Sequence, residues 1–229
     1  MLDYTTKILS YDTKEYPFAQ IVRRHFGREL ARLHEAARGP VARLEVGKDQ
    51  QTEFHKTFYA IGNEFHDTYQ RFVRDVILRG ERASEYLVQK VPTFRVHLPG
   101  NVATGGFHKD SDYNHALAEL NFIIPMTMMH ESATVWVESQ PDVSDFAPVN
   151  MDVGNVLRFW GAGLTHGSYP NQTGRTRVSV DFRVLPKAKY EETTKTTLNM
   201  GMPLTLGKYY MEAAPELAAL NVAGEKSTA

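Results

Sequence analysis

Two periodicities divide this chain of 229 residues. Up to about residue 82, apolar residues recur at three- and four-residue spacing, as on one face of a helix; from Val91 onward they alternate or form short runs broken by Gly, Pro and Asn. The third observation is size: 229 residues that are 42% hydrophobic suit one undivided domain with a substantial core. Together these predict a mainly β protein with N-terminal helices, a double-stranded β-helix (a cupin-like jelly roll) with the helices packed on the major sheet. The predicted domain, 1–229, has a helical part at about 15–82, a jelly-roll core at about 90–186 and an extension at 187–229.

Pro17 suits the first turn of a helix, where its missing N–H does no harm, and Phe18, Ile21, Val22, Phe26, Leu30 and Leu33 mark one face as far as a stop at Gly39-Pro40. A second helix is predicted from Phe54, Phe58, Ile61, Phe65, Tyr69, Phe72, Val73 and Val76, with charged residues between them and Gly80 as its stop. His25, His34, His55 and His66 fall on these helices and are expected to be solvated or capping. Strands are predicted at 91–98, 118–127, 133–139, 155–160 and 175–185, with Trp136 and Trp160 in the core. The long loop 139–153 is expected to border the barrel entrance. Tyr209, Tyr210 and Met211 are docking residues of the extension, and 223–229 a frayed end.

Charge excludes several function classes. The 26 basic and 27 acidic residues are well mixed, which leaves no footprint for nucleic acid or an anionic membrane. No run approaches the roughly 20 apolar residues of a membrane span, and the first residues lack the apolar core of a signal peptide, so a cytoplasmic location is expected. With no Cys, thiolate catalysis, disulfides and Fe–S ligation are excluded.

The candidate chemistry lies in His108-Lys109-Asp110 and a distant His166. On extended backbone, side chains at i and i+2 share a face, so His108 and Asp110 can reach one ion while Lys109 points away. Two imidazoles and a carboxylate on one face of an octahedron leave the opposite positions open, which is the non-haem Fe(II) arrangement; a structural zinc site would close its shell. Eleven positions after His166 comes Arg177, beyond the turn formers of Tyr169–Gly174, so the following strand is expected to run back beside His166. Along it Thr176, Val178, Val180, Phe182 and Val184 alternate with Arg175, Arg177, Ser179, Asp181 and Arg183. If the polar face lines the metal cavity, Arg177 and Ser179 can grip one end of a dicarboxylate whose other end chelates iron. Two strand residues span roughly 7 Å, which suits 2-oxoglutarate. Arg177 could instead pair with Asp181 or Asp152, and Arg175 and Arg183 compete for the clamp; the eleven-residue offset favours Arg177.

With these residues in order, the chain resembles the Fe(II)/2-oxoglutarate-dependent dioxygenases. The segments Phe94–Asn101, Phe107–Tyr113, Glu119–Phe122 and Val135–Ser139 are similar to a group named after a streptomycin-biosynthesis protein and related to phytanoyl-CoA dioxygenases. The resemblance covers about residues 90–186. It implies Fe(II) held by His108, Asp110 and His166, with 2-oxoglutarate and dioxygen as cosubstrates. It also implies decarboxylation to succinate coupled to hydroxylation of an unactivated C–H bond of a small polar metabolite, loosely in secondary metabolism.

Asn121 alternates with Glu119 and Ile123, placed either to touch the cosubstrate or to satisfy buried backbone groups. Arg95 and His97 share a strand face and could bind substrate or form a rim ion pair, and Tyr113 and His115 follow Asp110 in a loop expected to overhang the metal and contact substrate. Two rival classes share the barrel: a cupin-like metal enzyme that does not use 2-oxoglutarate, and a noncatalytic small-molecule binding barrel.

Overall fold

Helix α1 (Phe18–Phe26) starts after Pro17 and ends where Gly27, at φ 65°, turns its N–H back to the Arg23 carbonyl at 3.0 Å. This fixes the predicted first helix as a short one, followed by a separate 3₁₀ turn at Leu30–Ala36. The computed structural model describes residues 3–36, 50–102, 106–198 and 200–213; the expected stop at Gly39-Pro40 and the tail 223–229 lie outside them.

The second predicted helix is broken. α2 (Glu53–Tyr59) and α3 (Asn63–Phe72) are separated at Gly62, whose extended backbone caps α3, and α3 runs on into a π turn at Val73–Ile77. The break lets two aromatic faces reach one sheet: Phe58 stacks on Phe94 at 4.4 Å and Tyr69 meets Phe182 edge-on at 5.1 Å. Of the two expectations for His55, solvated or capping, the first does not hold: it is buried against Phe94, with Nδ1 2.7 Å from the hydroxyl of Thr52 at the α2 N-cap.

The strands are β1 (Lys7–Ser10), β2 (Tyr86–Gln89), β3 (Thr93–His97), β4 (Leu120–Pro125), β5 (Val135–Val137), β6 (Ala147–Val149), β7 (Asn155–Phe159), β8 (His166–Gly167), β9 (Arg177–Pro186) and β10 (Tyr210–Glu212). They form two antiparallel sheets. The larger has the order β1-β7-β4-β9-β2-β10, with β3 also on β9, and the smaller has β6-β5-β8. Strand β9 is long enough to pair with β4 along one edge and with β3 and then β2 along the other.

Alternation along β9 holds as expected, with a difference in what lies behind each face. Val178, Val180, Phe182 and Val184 face the helices in a core with Phe18, Phe58, Tyr69, Phe72 and Phe94. The opposite face, Arg177, Ser179, Asp181 and Arg183, is buried too, because the smaller sheet lies across it. Ile123, Leu157 and Phe159 of the larger sheet pack with Val135 and Val137 of the smaller, closing the gap beside the polar residues.

Two expectations need correction. β8 and β9 belong to different sheets, so the chain after His166 passes from the smaller sheet to the larger instead of returning beside it. The loop 139–153 contains β6, paired with β5. The extension docks through Tyr209 and Tyr210, both buried, as expected, and it adds β10 at the edge beside β2. Strands β1, β2 and β10 fell outside the predicted segments; at three or four residues each, their sequence pattern is too short to signal, and pairing partners far along the chain stabilise them.

Candidate metal centre

His108 and His166 are brought together by backbone. Each donates its N–H to the other's carbonyl, at 3.0 and 2.9 Å, in an isolated antiparallel bridge at the edge of the smaller sheet. Lys109 stays extended and turns its side chain outward to Asp142 at 2.6 Å, while Asp110 opens a 3₁₀ turn (Asp110–Tyr113). Asp110 is thus on a turn rather than on a strand, yet the extended step before it still directs both side chains inward. Asp110 Oδ1 lies 3.6 Å from His108 Nε2 and 3.7 Å from His166 Nε2. One potential ligand atom from each of the three residues lies within 4.8 Å of the others.

The imidazoles are oriented for ligation. Nδ1 of His108 lies 3.0 Å from the Gly106 carbonyl and Nδ1 of His166 lies 3.0 Å from the Leu164 carbonyl. A carbonyl only accepts, so each Nδ1 carries the proton and each Nε2 presents a lone pair to the centre. Burial, opposed by the Asp110 charge, pushes the His166 pKa down to about 4, which keeps that ring neutral near neutral pH.

Asp110 is anchored from behind. Its N–H bonds the Gly161 carbonyl at 2.8 Å, and its Oδ2 accepts from Arg183 Nε at 2.8 Å and from Asn121 Nδ2, with Arg183 Nη2 completing the ion pair at 2.7 Å. Burial alone would raise its pKa, but the Arg183 charge and the neighbouring imidazoles hold it well below the ordinary carboxylate range. Asn121 therefore touches a predicted metal ligand directly. Arg183 Nη1 also donates to Gln89, Asp181 and the Tyr209 hydroxyl oxygen, all within 3.3 Å.

A pocket of about 500 Å³, counting its open mouth, joins this centre to the polar face of β9. Arg177 stands on its wall, 4% exposed, with Nη1 donating to Ser179 Oγ at 2.9 Å. Its Nε has no hydrogen-bond partner, and among the described residues no carboxylate pairs with it. Burial, together with the charge of Arg95 and opposed by Asp181, pushes the Arg177 pKa down to about 10. Arg183 is the reverse case, a guanidinium held well above its ordinary range despite burial, by Asp110 first and then by Tyr209, Asp181 and Glu119.

The remaining candidates scatter. Arg95 lines the pocket and donates to Asp181 at 2.6 Å. His97 is fully buried opposite Arg177 in the β3–β9 register, with Nε2 2.7 Å from the Asn101 carbonyl. Tyr113 lays its ring edge-on to His108 at 4.7 Å. His115 is turned away from the pocket, with Nδ1 3.0 Å from Glu119 and its ring against Tyr209. Arg175 is exposed, two residues before β9 begins. Gly161 and Ser168 border the centre without having been assigned a role from the sequence; Arg183, weighed there as a rival carboxylate clamp, binds Asp110 instead, and Asp181, weighed as a partner of Arg177, pairs with Arg95 and Arg183.

No family model matches the chain. Among solved structures it is similar to AviO1 from Streptomyces viridochromogenes Tue57, 16% identical over 82% of this chain and 92% of that one, with a TM-score of 0.45. A prolyl hydroxylase from Trichoplax adhaerens is 12% identical over 81% and 86%, with a TM-score of 0.46. The sequence likeness is much stronger: the streptomycin biosynthesis protein StrG of Streptomyces griseus is 36% identical over 211 residues, 92% of this chain and 98% of that protein. At that identity, along nearly the full length of both, the chain belongs to the family of the streptomycin biosynthesis protein StrG.

Proposed function

We propose that this protein is a non-haem Fe(II)/2-oxoglutarate-dependent oxygenase on a jelly-roll fold, hydroxylating a small polar metabolite. The observation that carries this is the pairing of two features in one pocket: a one-sided His108, Asp110 and His166 donor set, and a buried Arg177 that lacks a carboxylate partner among the described residues.

The donor set fits ferrous iron. Two neutral imidazoles with inward Nε2 atoms and one carboxylate form a half-shell with no sulfur donor, suited to a metal that keeps positions open. Bound iron would supply the dioxygen chemistry that couples decarboxylation of a keto acid to oxidation of a C–H bond. The protein's own part is placement and charge. Arg177, with Ser179 beside it, presents fixed donors to the far carboxylate of 2-oxoglutarate, and the guanidinium that burial penalises in the free protein gains a counter-ion on binding.

Charge balance supports the same reading. Arg95, Arg177 and Arg183 are matched in the pocket wall and beneath it by Asp110, Asp181 and Glu119. A dication and a dianion entering together preserve that balance, whereas either alone leaves a charge in a dry site. Ile123, Val135 and Phe159 line the rest and exclude water from the reacting atoms.

The test is anaerobic addition of 2-oxoglutarate to the Fe(II)-loaded protein, read by the visible metal-to-ligand charge-transfer band, followed by succinate measurement on admitting oxygen. A band that appears only with both additions supports the proposal. Metal binding with neither band nor succinate would leave a cupin-like metal enzyme of another reaction class.

A further inference from the structure

The least expected contact in the pocket is the one behind the metal ligand. Asp110 has two oxygens, and they are treated differently: Oδ1 faces both Nε2 atoms, whereas Oδ2 accepts hydrogen bonds from Arg183 Nε and Asn121 Nδ2 and forms an ion pair with Arg183 Nη2 at 2.7 Å. Two hydrogen bonds, reinforced by the ion pair, fill the lone-pair positions of one carboxylate oxygen. Arg183 is itself immobilised by Gln89, Asp181 and Tyr209, and Asn121 is wedged by Gly161, where an added Cβ would lie 2.6 Å from the amide Cγ. Since Asn121 and Arg183 are cross-strand neighbours in the β4–β9 register, the two donors reach Oδ2 from one rigid surface.

We infer that Arg183 and Asn121 are positioning residues that hold Asp110 to one-oxygen ligation, so that the metal keeps three positions free instead of two. This rests on the metal-site reading above and deepens it. The physical reason is geometric. A carboxylate that swings to bind through both oxygens takes a position that a chelating keto acid and dioxygen would otherwise share. Removing Oδ2 from the wall requires breaking charge-assisted bonds in a buried site, so the restraint is stiff. A paired Arg183 on the same strand also leaves Arg177 as the guanidinium open to an anion.

The experiment compares wild type with Asn121→Leu, which is near-isosteric and removes the donor without altering charge, and with Arg183→Lys, which keeps charge but loses the fork. Three measurements are made on each: Co(II) affinity, the visible absorption of bound Co(II), whose intensity reports coordination number, and 2-oxoglutarate affinity of the Co(II)-loaded protein. The expected result is Co(II) affinity within about threefold of wild type, altered Co(II) absorption, and 2-oxoglutarate affinity reduced about tenfold or more, the equivalent of about 1.4 kcal/mol. A purely structural role would lower both affinities together and leave the absorption of the bound fraction unchanged, which overturns the inference, as does wild-type behaviour in both variants. If one variant does not fold, judged by circular dichroism, the other decides. Failure of wild type itself to bind Co(II) would instead refute the metal site, a separate outcome from failure of the restraint.

Discussion

Replacing Arg177 by Met should raise stability and destroy cosubstrate binding at once. In the free protein the guanidinium is buried, its Nε is without a partner among the described residues, and its pKa is pushed down to about 10, chiefly by desolvation. At about 1.36 kcal/mol per pH unit, keeping that charge in the folded state costs on the order of 3 kcal/mol. The sign follows from the lowered folded-state value: the penalty is present at neutral pH and is relieved only as pH rises through about 10. Methionine fills similar space without charge; the lost bond to Ser179 offsets about 1 kcal/mol of the gain. A net stabilisation of about 1–2 kcal/mol corresponds to a Tm increase of a few degrees, roughly 2–4 °C per kcal/mol for a chain of this size. A carboxylate buried without its partner typically costs about 3–5 kcal/mol, so 2-oxoglutarate affinity should fall roughly 100- to 1000-fold or more. Differential scanning fluorimetry and the charge-transfer titration read the two effects separately. A lowered Tm with unchanged cosubstrate affinity would refute the assignment of Arg177 as an unfilled anion clamp.

Asp110→Ala removes the central ligand while Arg183 keeps Asp181 as a counter-ion, so the fold should persist and Fe(II) or Mn(II) affinity should drop by about a hundredfold or more, measured by calorimetry. His97 is held neutral, its pKa pushed down to about 3 by burial and by the Arg177 charge. Its folded value lies below the unfolded one, so stability is fully present above about pH 6.5 and declines by up to about 1.4 kcal/mol per unit as pH falls toward 3. His97→Gln should flatten part of that decline in urea titrations between pH 7 and 4. Phe94→Ala empties a fully buried site stacked on Phe58 and should cost about 3–5 kcal/mol in chemical denaturation, with metal affinity retained in the folded fraction. In Gly161→Ala the new Cβ meets the Asn121 amide; overpacking of about 1–3 kcal/mol should appear as a lowered Tm.

The aromatic stripes of the N-terminal third and the alternation along β9 were legible because a repeat of 3.6 or 2 residues is a local property of the chain. So was the candidate donor set, since one extended step links His108 to Asp110 and the eleven-residue offset singles out Arg177. The break between α2 and α3 was not legible. Phe54 to Val76 keeps its helical period across Gly62, and only packing against Phe94 and Phe182 makes two short helices preferable to one.

What the sequence determined by itself, then, was which side chains share a face; what tertiary structure decided was which faces meet. Arg175, Arg177 and Arg183 are equivalent by alternation, and the structure tells them apart: one exposed, one buried beside Ser179 without a carboxylate, one locked onto Asp110 and Asp181. The same holds for His97, which sits opposite Arg177, and for His115, turned toward Glu119. The reason is that a guanidinium's role depends on its nearest carboxylate, and in this fold those carboxylates come from distant segments, set by sheet register and by the crossing of the chain between two sheets rather than by neighbours in sequence.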